Sequence, residues 1–279
     1  MRILKNIGFI QGRLSPAKKN RIQFFPEKNW EKEFYFAKKI GLNYIEWTLD
    51  YKNLHKNPIF SASGLKRIKY LSKKFKVKIK TLTGDFIIQK PFWRYKKYTK
   101  YIVDLKKVIS ACHKLKIKYL IFPLVDNSSV KNQEEEIKII KELKKLSNFL
   151  NKKRVSILFE SDYPPARLKN FIKKFNAKFF GINYDTGNSA GLNYDTNEEF
   201  KNYGRFIKNI HIKDRVLYGK TIRLGNGNVN FENVVKNIYK INYKELLILQ
   251  TARSEKKNED IKELRKNFNF LKKILVRHK

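Results

Sequence analysis

Four short apolar runs in the second half of the chain end in side chains that can bind a cation or move a proton. Ser156-Ile-Leu-Phe-Glu160 ends in a carboxylate, Gly181-Ile-Asn-Tyr-Asp185 in another, Asn209-Ile-His211 in an imidazole, and Leu246-Leu-Ile-Leu-Gln250 in a carboxamide. A polar group set directly after an apolar run loses water on burial, which is costly unless the group is paired or holds a cation. Glu160, Asp185, Gln250 and His211 offer three oxygen donors and one nitrogen. Such a mixed set suits one divalent metal ion, Mn²⁺, Mg²⁺, Co²⁺ or Zn²⁺, with water or substrate oxygens completing the shell. Each residue alone has an ordinary explanation: Glu160 could pair with a lysine, Asp185 could cap a helix, His211 could be a satisfied core histidine and Gln250 a solvated strand end. Four in chain order favour a shared site.

Those four runs belong to a longer alternation. Short β-branched or aromatic runs predict strands over 7–10, 43–47, 77–82, 119–123, 155–160, 179–184, 207–212 and 246–250. Amphipathic, lysine-rich stretches predict helices over 29–40, 63–74, 93–115, 132–150, 164–175, 197–204, 231–241 and 259–276. Gly41 stands where a helix C-cap belongs, Pro164-Pro165 suits a first turn, and Glu198 and Glu199 put carboxylates at a helix N-terminus. Eight βα units without long linkers predict a parallel sheet, and in 279 residues they predict an α/β fold, a single (β/α)₈ TIM barrel domain over 1–279. A doubly wound open sheet is the alternative, since periodicity does not prove closure. In a βα barrel the carboxyl ends of the strands carry the chemistry, and all four polar ends lie there.

Composition bounds the rest. Lys+Arg 63 against Asp+Glu 25 gives a formal net charge of +38, which invites a nucleic-acid reading. The cations are 50 lysines and 13 arginines spread over nearly every expected helix. That distribution reads as a solvated surface and not as a phosphate groove. At 42% hydrophobic and 14% aromatic the chain can bury a core, so wholesale disorder is excluded. The lone Cys112 cannot form an internal disulfide and fits a reducing compartment. The N-terminus carries no signal-type apolar stretch and no apolar run is long enough to span a bilayer. A cytoplasmic location without membrane contact is expected.

The motifs Ile7-Gly-Phe-Ile-Gln-Gly-Arg-Leu-Ser15, Tyr44-Ile-Glu-Trp47, Phe159-Glu-Ser161, Asn183-Tyr-Asp-Thr-Gly-Asn188, His211-Ile-Lys-Asp-Arg215, Leu224-Gly-Asn-Gly-Asn228 and Ile248-Leu-Gln-Thr-Ala-Arg253 resemble the sugar phosphate isomerases/epimerases of the xylose isomerase-like TIM-barrel superfamily, over essentially the whole chain. The resemblance implies a divalent metal held by Glu160, Asp185, His211 and the residue ending the eighth strand. Two departures matter. Members of the family usually have Glu where this chain has Gln250, and many have His where it has Asn188. Gln can ligate through its carbonyl but cannot accept a proton. One-base isomerisation, dehydration or sugar binding therefore gain on two-base epimerisation.

Glu160, Gln250 and Lys213 are the candidate catalytic residues, with Glu160 as the base beside a polarised carbonyl. Candidate substrate-binding residues are Gln11 and Arg13 after the first run, Glu46 and Trp47 at the end of the second, Asp85 after the third, Asp214 and Arg215 after His211, and Arg253 after Gln250. Arg253, Arg215 or Lys213 could hold a substrate phosphate or carboxylate, or could serve in ion pairs. The expected partner is a small sugar or sugar phosphate; a homo-oligomer is allowed. The rivals are a nuclease resembling endonuclease IV and a non-catalytic sugar or metal-binding barrel. Those nucleases resemble three-metal sites built from several histidines, and here His211 alone ends an apolar run.

Overall fold

The computed structural model describes residues 3–18, 21–256 and 259–278. The strands are β1 Ile7–Ile10, β2 Tyr44–Thr48, β3 Lys78–Thr83, β4 Tyr119–Leu124, β5 Ser156–Ser161, β6 Phe180–Asp185 and β7 Ile207–Ile212, then a short pair, β8 Asp214–Arg215 and β9 Thr221–Ile222, and finally β10 Leu246–Leu249. Hydrogen bonding runs β1-β10-β7-β6-β5-β4-β3-β2 and closes on itself. Every pairing in this ring of eight is parallel. The (β/α)₈ barrel is thus present and the open sheet is excluded.

Around the ring lie α1 Trp30–Ile40, α2 Ala62–Phe75, α3 Asp85–Gln89, α4 Thr99–Leu115, α5 Gln133–Lys144, α6 Ser147–Lys153, α7 Pro165–Ile172, α8 Thr186–Gly191, α9 Thr196–Tyr203, α10 Phe231–Lys240 and α11 Asp260–Arg277. Gly41 closes α1 at φ 91°, a left-handed conformation that favours glycine. The helix expected over 93–115 begins six residues late, because Trp93 and Phe92 are buried against Phe122 and Arg94 is tied to Ser129 O and Glu135. The single helix expected over 132–150 is two, α5 and α6. Two short helices, α3 and α8, stand in the loops after β3 and β6; five or six residues are too few to display a helical period.

Alternation along the strands sorts side chains into two cores. Outward residues such as Phe9, Trp47, Phe122 and Phe159 pack under the helices; Phe159 meets Phe171 and Phe175 with ring centroids 5.0 Å apart. Inward residues fill the barrel in layers. Ile10, Leu246, Ile248 and Tyr44 form one apolar group and Tyr119, Ile121 and Leu158 another. The same inward faces continue into Glu46, Asn183, Asn209, Glu160, Asp185 and His211, all buried. Register shifts between Ile45 and Glu46 and between Ile182 and Asn183 fall just before two of these polar positions, where a bulge re-aims a side chain.

Candidate metal centre at the barrel mouth

His211 sits on β7 with its imidazole fully buried. Its Nε2 lies 2.7 Å from Glu46 Oε1, and its Nδ1 lies 3.2 Å from Glu160 Oε2 and 3.8 Å from Asp185 Oδ2. Two amides stand between these groups. Asn183 Nδ2 donates to Glu160 Oε2 at 2.8 Å, and Asn209 Nδ2 donates to Glu46 Oε2 at 3.1 Å and to Asn183 Oδ1 at 2.8 Å. Burial would lower the imidazole pKa, but Glu46 and Glu160 outweigh it and raise it to about 10. So in the absence of another cation His211 itself carries the positive charge that two buried carboxylates demand.

Glu160 and Asp185 complete the group. Burial pushes Glu160 upward, yet the hydrogen bond and charge of His211, with Lys213, leave it below the ordinary carboxylate range. Asp185 is raised by burial, against the pull of Lys213, whose Nζ lies 2.7 Å from Asp185 Oδ2. Asp185 also caps α8 by accepting from Asn188 N at 2.8 Å, while Asn188 Nδ2 donates to Glu160 Oε1 at 2.9 Å. Ligand-capable atoms of Glu160, Asp185 and His211 all lie within 4.8 Å of one another. On the neighbouring strand's end, Gln250 donates through Nε2 to Gln23 Oε1 at 3.2 Å, and its carbonyl Oε1 is buried without a partner. An orphaned buried acceptor beside two carboxylates and an imidazole is what a hard or borderline cation would satisfy.

Above this group opens a cavity of about 410 Å³ lined by Glu160, Gln250, Lys213, Arg13, Asp85 and Gln23, among others. Gln23 links two walls, since its Nε2 donates to Asp85 Oδ1 at 3.1 Å. Burial, then the charge of Asp50, raises the Asp85 carboxyl to about 8. Arg13, 3% exposed, donates through Nε to Thr251 O and through Nη1 to Ile22 O, both at 2.8 Å. Burial, then Arg253, lowers its pKa to about 9.

Residues 34–274 match the sequence profile of the xylose isomerase-like TIM barrel family. The chain belongs to that family. Among solved structures it is similar to D-psicose 3-epimerase with D-tagatose from Clostridium cellulolyticum H10, at 10% identity and TM-score 0.74 over 97% of this chain and 99% of that one. It is also similar to the IolI protein with a binding zinc atom, at 14% identity and TM-score 0.75 over 98% of this chain and 99% of that one. At such identities the likeness is one of fold. An uncharacterized protein of Methanocaldococcus jannaschii is 28% identical over 114 residues, 40% of this chain and 36% of that protein, so the match spans little more than a third of the relative's length.

Within the family barrel, Glu160, Asp185, His211, Gln250, Lys213, Arg13, Asp85 and Arg215 come together at the mouth. Five expected substrate contacts do not. Glu46 lies inside the barrel, bonded to His211 and Asn209, beneath the mouth. Gln11 is fully buried, its Oε1 accepting from Thr48 N. Trp47 points outward by strand alternation, packs on Phe25 and Trp30 and donates to Asn57 Oδ1. Asp214 spends its carboxylate on the backbone N–H groups of Gly225, Gly227 and Val229, which shapes the loop after β9. Arg253 donates to the carbonyls of Gly12, Ser15 and Ile22 and stacks on Phe24. Its target Gly12 has φ 95°, and a Cβ there would come within 2.7 Å of Phe24 O. Arg215 lines the mouth but is anchored to Gly219 O and Asn188 Oδ1.

Sequence reasoning did not pick out Asn183, Asn209 and Gln23. The first two stand two residues before Asp185 and His211, and period-two alternation puts them on the same inner face. Gln23 comes from the stretch between β1 and α1, where no periodicity exists to place it. Tyr184, next to Asp185 on β6, faces outward by the same alternation, its hydroxyl donating to Glu199 Oε2 at 3.0 Å.

Proposed function

We propose that the chain is a divalent-metal-dependent sugar isomerase or epimerase that moves a carbon-bound proton next to a polarised carbonyl. The observation that carries this reading is the convergence of Glu160, Asp185 and His211 within 4.8 Å under an open cavity, beside the unpartnered Gln250 Oε1. These four would hold the ion, with the carboxylates supplying two negative charges to balance a divalent cation. A divalent cation held there would polarise a substrate carbonyl and so acidify the C–H next to it. The zinc of IolI and the sugar of the Clostridium epimerase belong to those proteins; they support the class and leave the ion and the substrate of this chain to experiment.

Glu160 is the proposed base. Its depressed pKa keeps it anionic at neutral pH, and donors from Asn183 and Asn188 hold both of its oxygens in place. Lys213 neutralises Asp185, so repulsion between the two carboxylates is relieved. Gln250 offers a carbonyl and no proton acceptor of carboxylate strength. The proton taken by Glu160 therefore returns from Glu160, to the same face of the substrate. That favours shuttling between adjacent carbons over inversion at one carbon. Among the described residues the other three histidines lie away from the mouth, His55 against Asp104, His113 on α4 and His278 against Glu232, which disfavours a multinuclear nuclease centre. No helix is long and apolar enough to cross a membrane. Incubation of the manganese-loaded protein with ketoses in D₂O tests the reading: deuterium on carbon and an aldose product support it, and absence of exchange with every ketose and ketose phosphate tried overturns it.

A further inference from the structure

Asp85 is a buried carboxyl on the same cavity as Glu160, and the transfer of a carbon-bound proton by Glu160 leaves it without a task. It stands directly after β3, one strand removed from β5 in the ring. Its Oδ1 accepts from Gln23 Nε2 at 3.1 Å. Its Oδ2 accepts from no described residue and is not among the side-chain atoms sealed away without a partner, so it reaches the cavity. The other carboxyls on this cavity are differently placed: Asn183 and Asn188 hold both oxygens of Glu160, and Asp126 is exposed.

The charges around Asp85 keep it neutral. A carboxylate inside a protein needs a counter-charge, and Asp85 makes no ion pair among the described residues. Burial, then Asp50, pushes its pKa up, with Glu160 adding to the rise, while the Gln23 hydrogen bond and Arg13 pull it down. Asp50 stays a carboxylate neighbour, held by Phe25 N, Gln89 Nε2 and, at 3.7 Å, Arg21. Lys213 and Arg215, also on the cavity, are tied to Asp185 and to Asn188. The balance for Asp85 is about 8, so it carries its proton at neutral pH, whereas Glu160 lies below the ordinary carboxylate range. Two carboxyls pushed apart in this way within one cavity can serve as acid and base.

Conversion of a ketose to an aldose needs both. When Glu160 takes the proton from carbon, the C–H electrons form a C=C bond and the carbonyl pair moves to its oxygen, which gains a proton to give an enediol. We propose that Asp85 is the catalytic acid that gives its proton to the substrate carbonyl oxygen and then takes the proton of the hydroxyl on the adjacent carbon. That second transfer forms the new C=O bond, and the C=C electrons take the proton back from Glu160 at the former carbonyl carbon. Both carboxyls end as they began. The proposal rests on the isomerase reading above and adds to it a second proton-transfer group, one that works on oxygen.

The test counts two products of the manganese-loaded protein in D₂O, deuterium in recovered ketose and aldose formed, with fructose, tagatose and their 6-phosphates as probes. Asp85→Asn is expected to cut aldose formation about 100-fold, within the range for loss of a general acid. Exchange into the recovered ketose falls less than tenfold, because Glu160 still removes the carbon proton and returns one to the same carbon. Deuterium per aldose therefore rises at least tenfold, a change that looser binding or a damaged fold does not produce. A ratio equal to the wild type's, whether both rates fall together or neither falls, overturns the proposal and leaves the isomerase reading standing. Absence of exchange by the wild type with all four sugars overturns the isomerase reading and this role with it. Should Asp85→Asn fail to fold by circular dichroism, Asp85→Ser, which removes the acid and leaves space, is read in the same way.

Discussion

Glu46 Oε1 lies 2.7 Å from His211 Nε2, with both side chains fully buried. The pairing joins β2 to β7 across the barrel interior and leaves His211 Nδ1 turned toward Glu160 and Asp185. A carboxylate behind a ligating imidazole fixes its tautomer and raises its basicity, and loss of such a partner commonly weakens metal binding by about 10- to 100-fold. Glu46→Gln keeps the shape and removes the charge. Its manganese affinity, read by competition with a chelator, is expected to fall at least tenfold; unchanged affinity would detach Glu46 from the site.

Glu160 is the one strand-end carboxylate in the ligand group not claimed by a lysine. Glu160→Gln is expected to lower deuterium exchange by about 10²-fold or more, in the range for loss of a general base. The amide has one acceptor oxygen for the two donors of Asn183 and Asn188, so a stability cost of about 1–2 kcal/mol accompanies it. Melting followed by circular dichroism checks that the fold survives. Exchange at the wild-type rate would move the base to another residue.

The barrel was legible because parallel strands buried on both faces read as continuous apolar runs. The ligand group was legible because each member sits at the end of such a run. What escaped is set by tertiary contacts. Glu46 and Trp47 are neighbours in sequence, but the bulge before Glu46 and the alternation of β2 send one into the barrel and the other under α1. Arg253 and Arg13 look alike in sequence; one is spent on three carbonyls of the β1–α1 segment, and the other meets two carbonyls and the cavity. No local pattern distinguishes them.

Glu199 gives the protein an inverted pH response. Burial raises its carboxyl from 4.5 to about 7, against donors from Ser189, Tyr203 and Tyr184. The folded state therefore holds this proton more tightly than the unfolded state between those values. The contribution, about 3 kcal/mol at most, is full below pH 4.5 and is lost as pH rises through 7. Burial raises Glu33 to about 7 as well, so both groups make the metal-free protein melt at lower temperature at pH 8 than at pH 5.5. Asp85 and His211, raised to about 8 and about 10, add to the same fall, so Glu199→Gln is expected to remove a minor part of that slope, roughly a quarter, in scans across this range. A slope equal to the wild type's would show that Glu199 does not titrate there.

Gln250→Glu separates ligand from bystander. In the metal-free protein the new carboxylate faces the anionic Glu160 across one small cavity, and like charges so placed disfavour one another. It also meets Gln23 Oε1, which now accepts from the Gln250 amide; Gln23 must turn its amide around and so lose its present donation to Asp85. The melting temperature without metal is therefore expected to fall by several degrees. A divalent ion gains a third anionic ligand in the variant, so saturating manganese should raise its melting temperature more than it raises the wild type's. With a second carboxylate facing the substrate, deuterium exchange should be joined by inversion at carbon 3 of a ketose, seen as a second sugar by chromatography. If manganese stabilises the variant and the wild type equally, residue 250 is not a ligand, and the unpartnered Gln250 carbonyl needs another explanation.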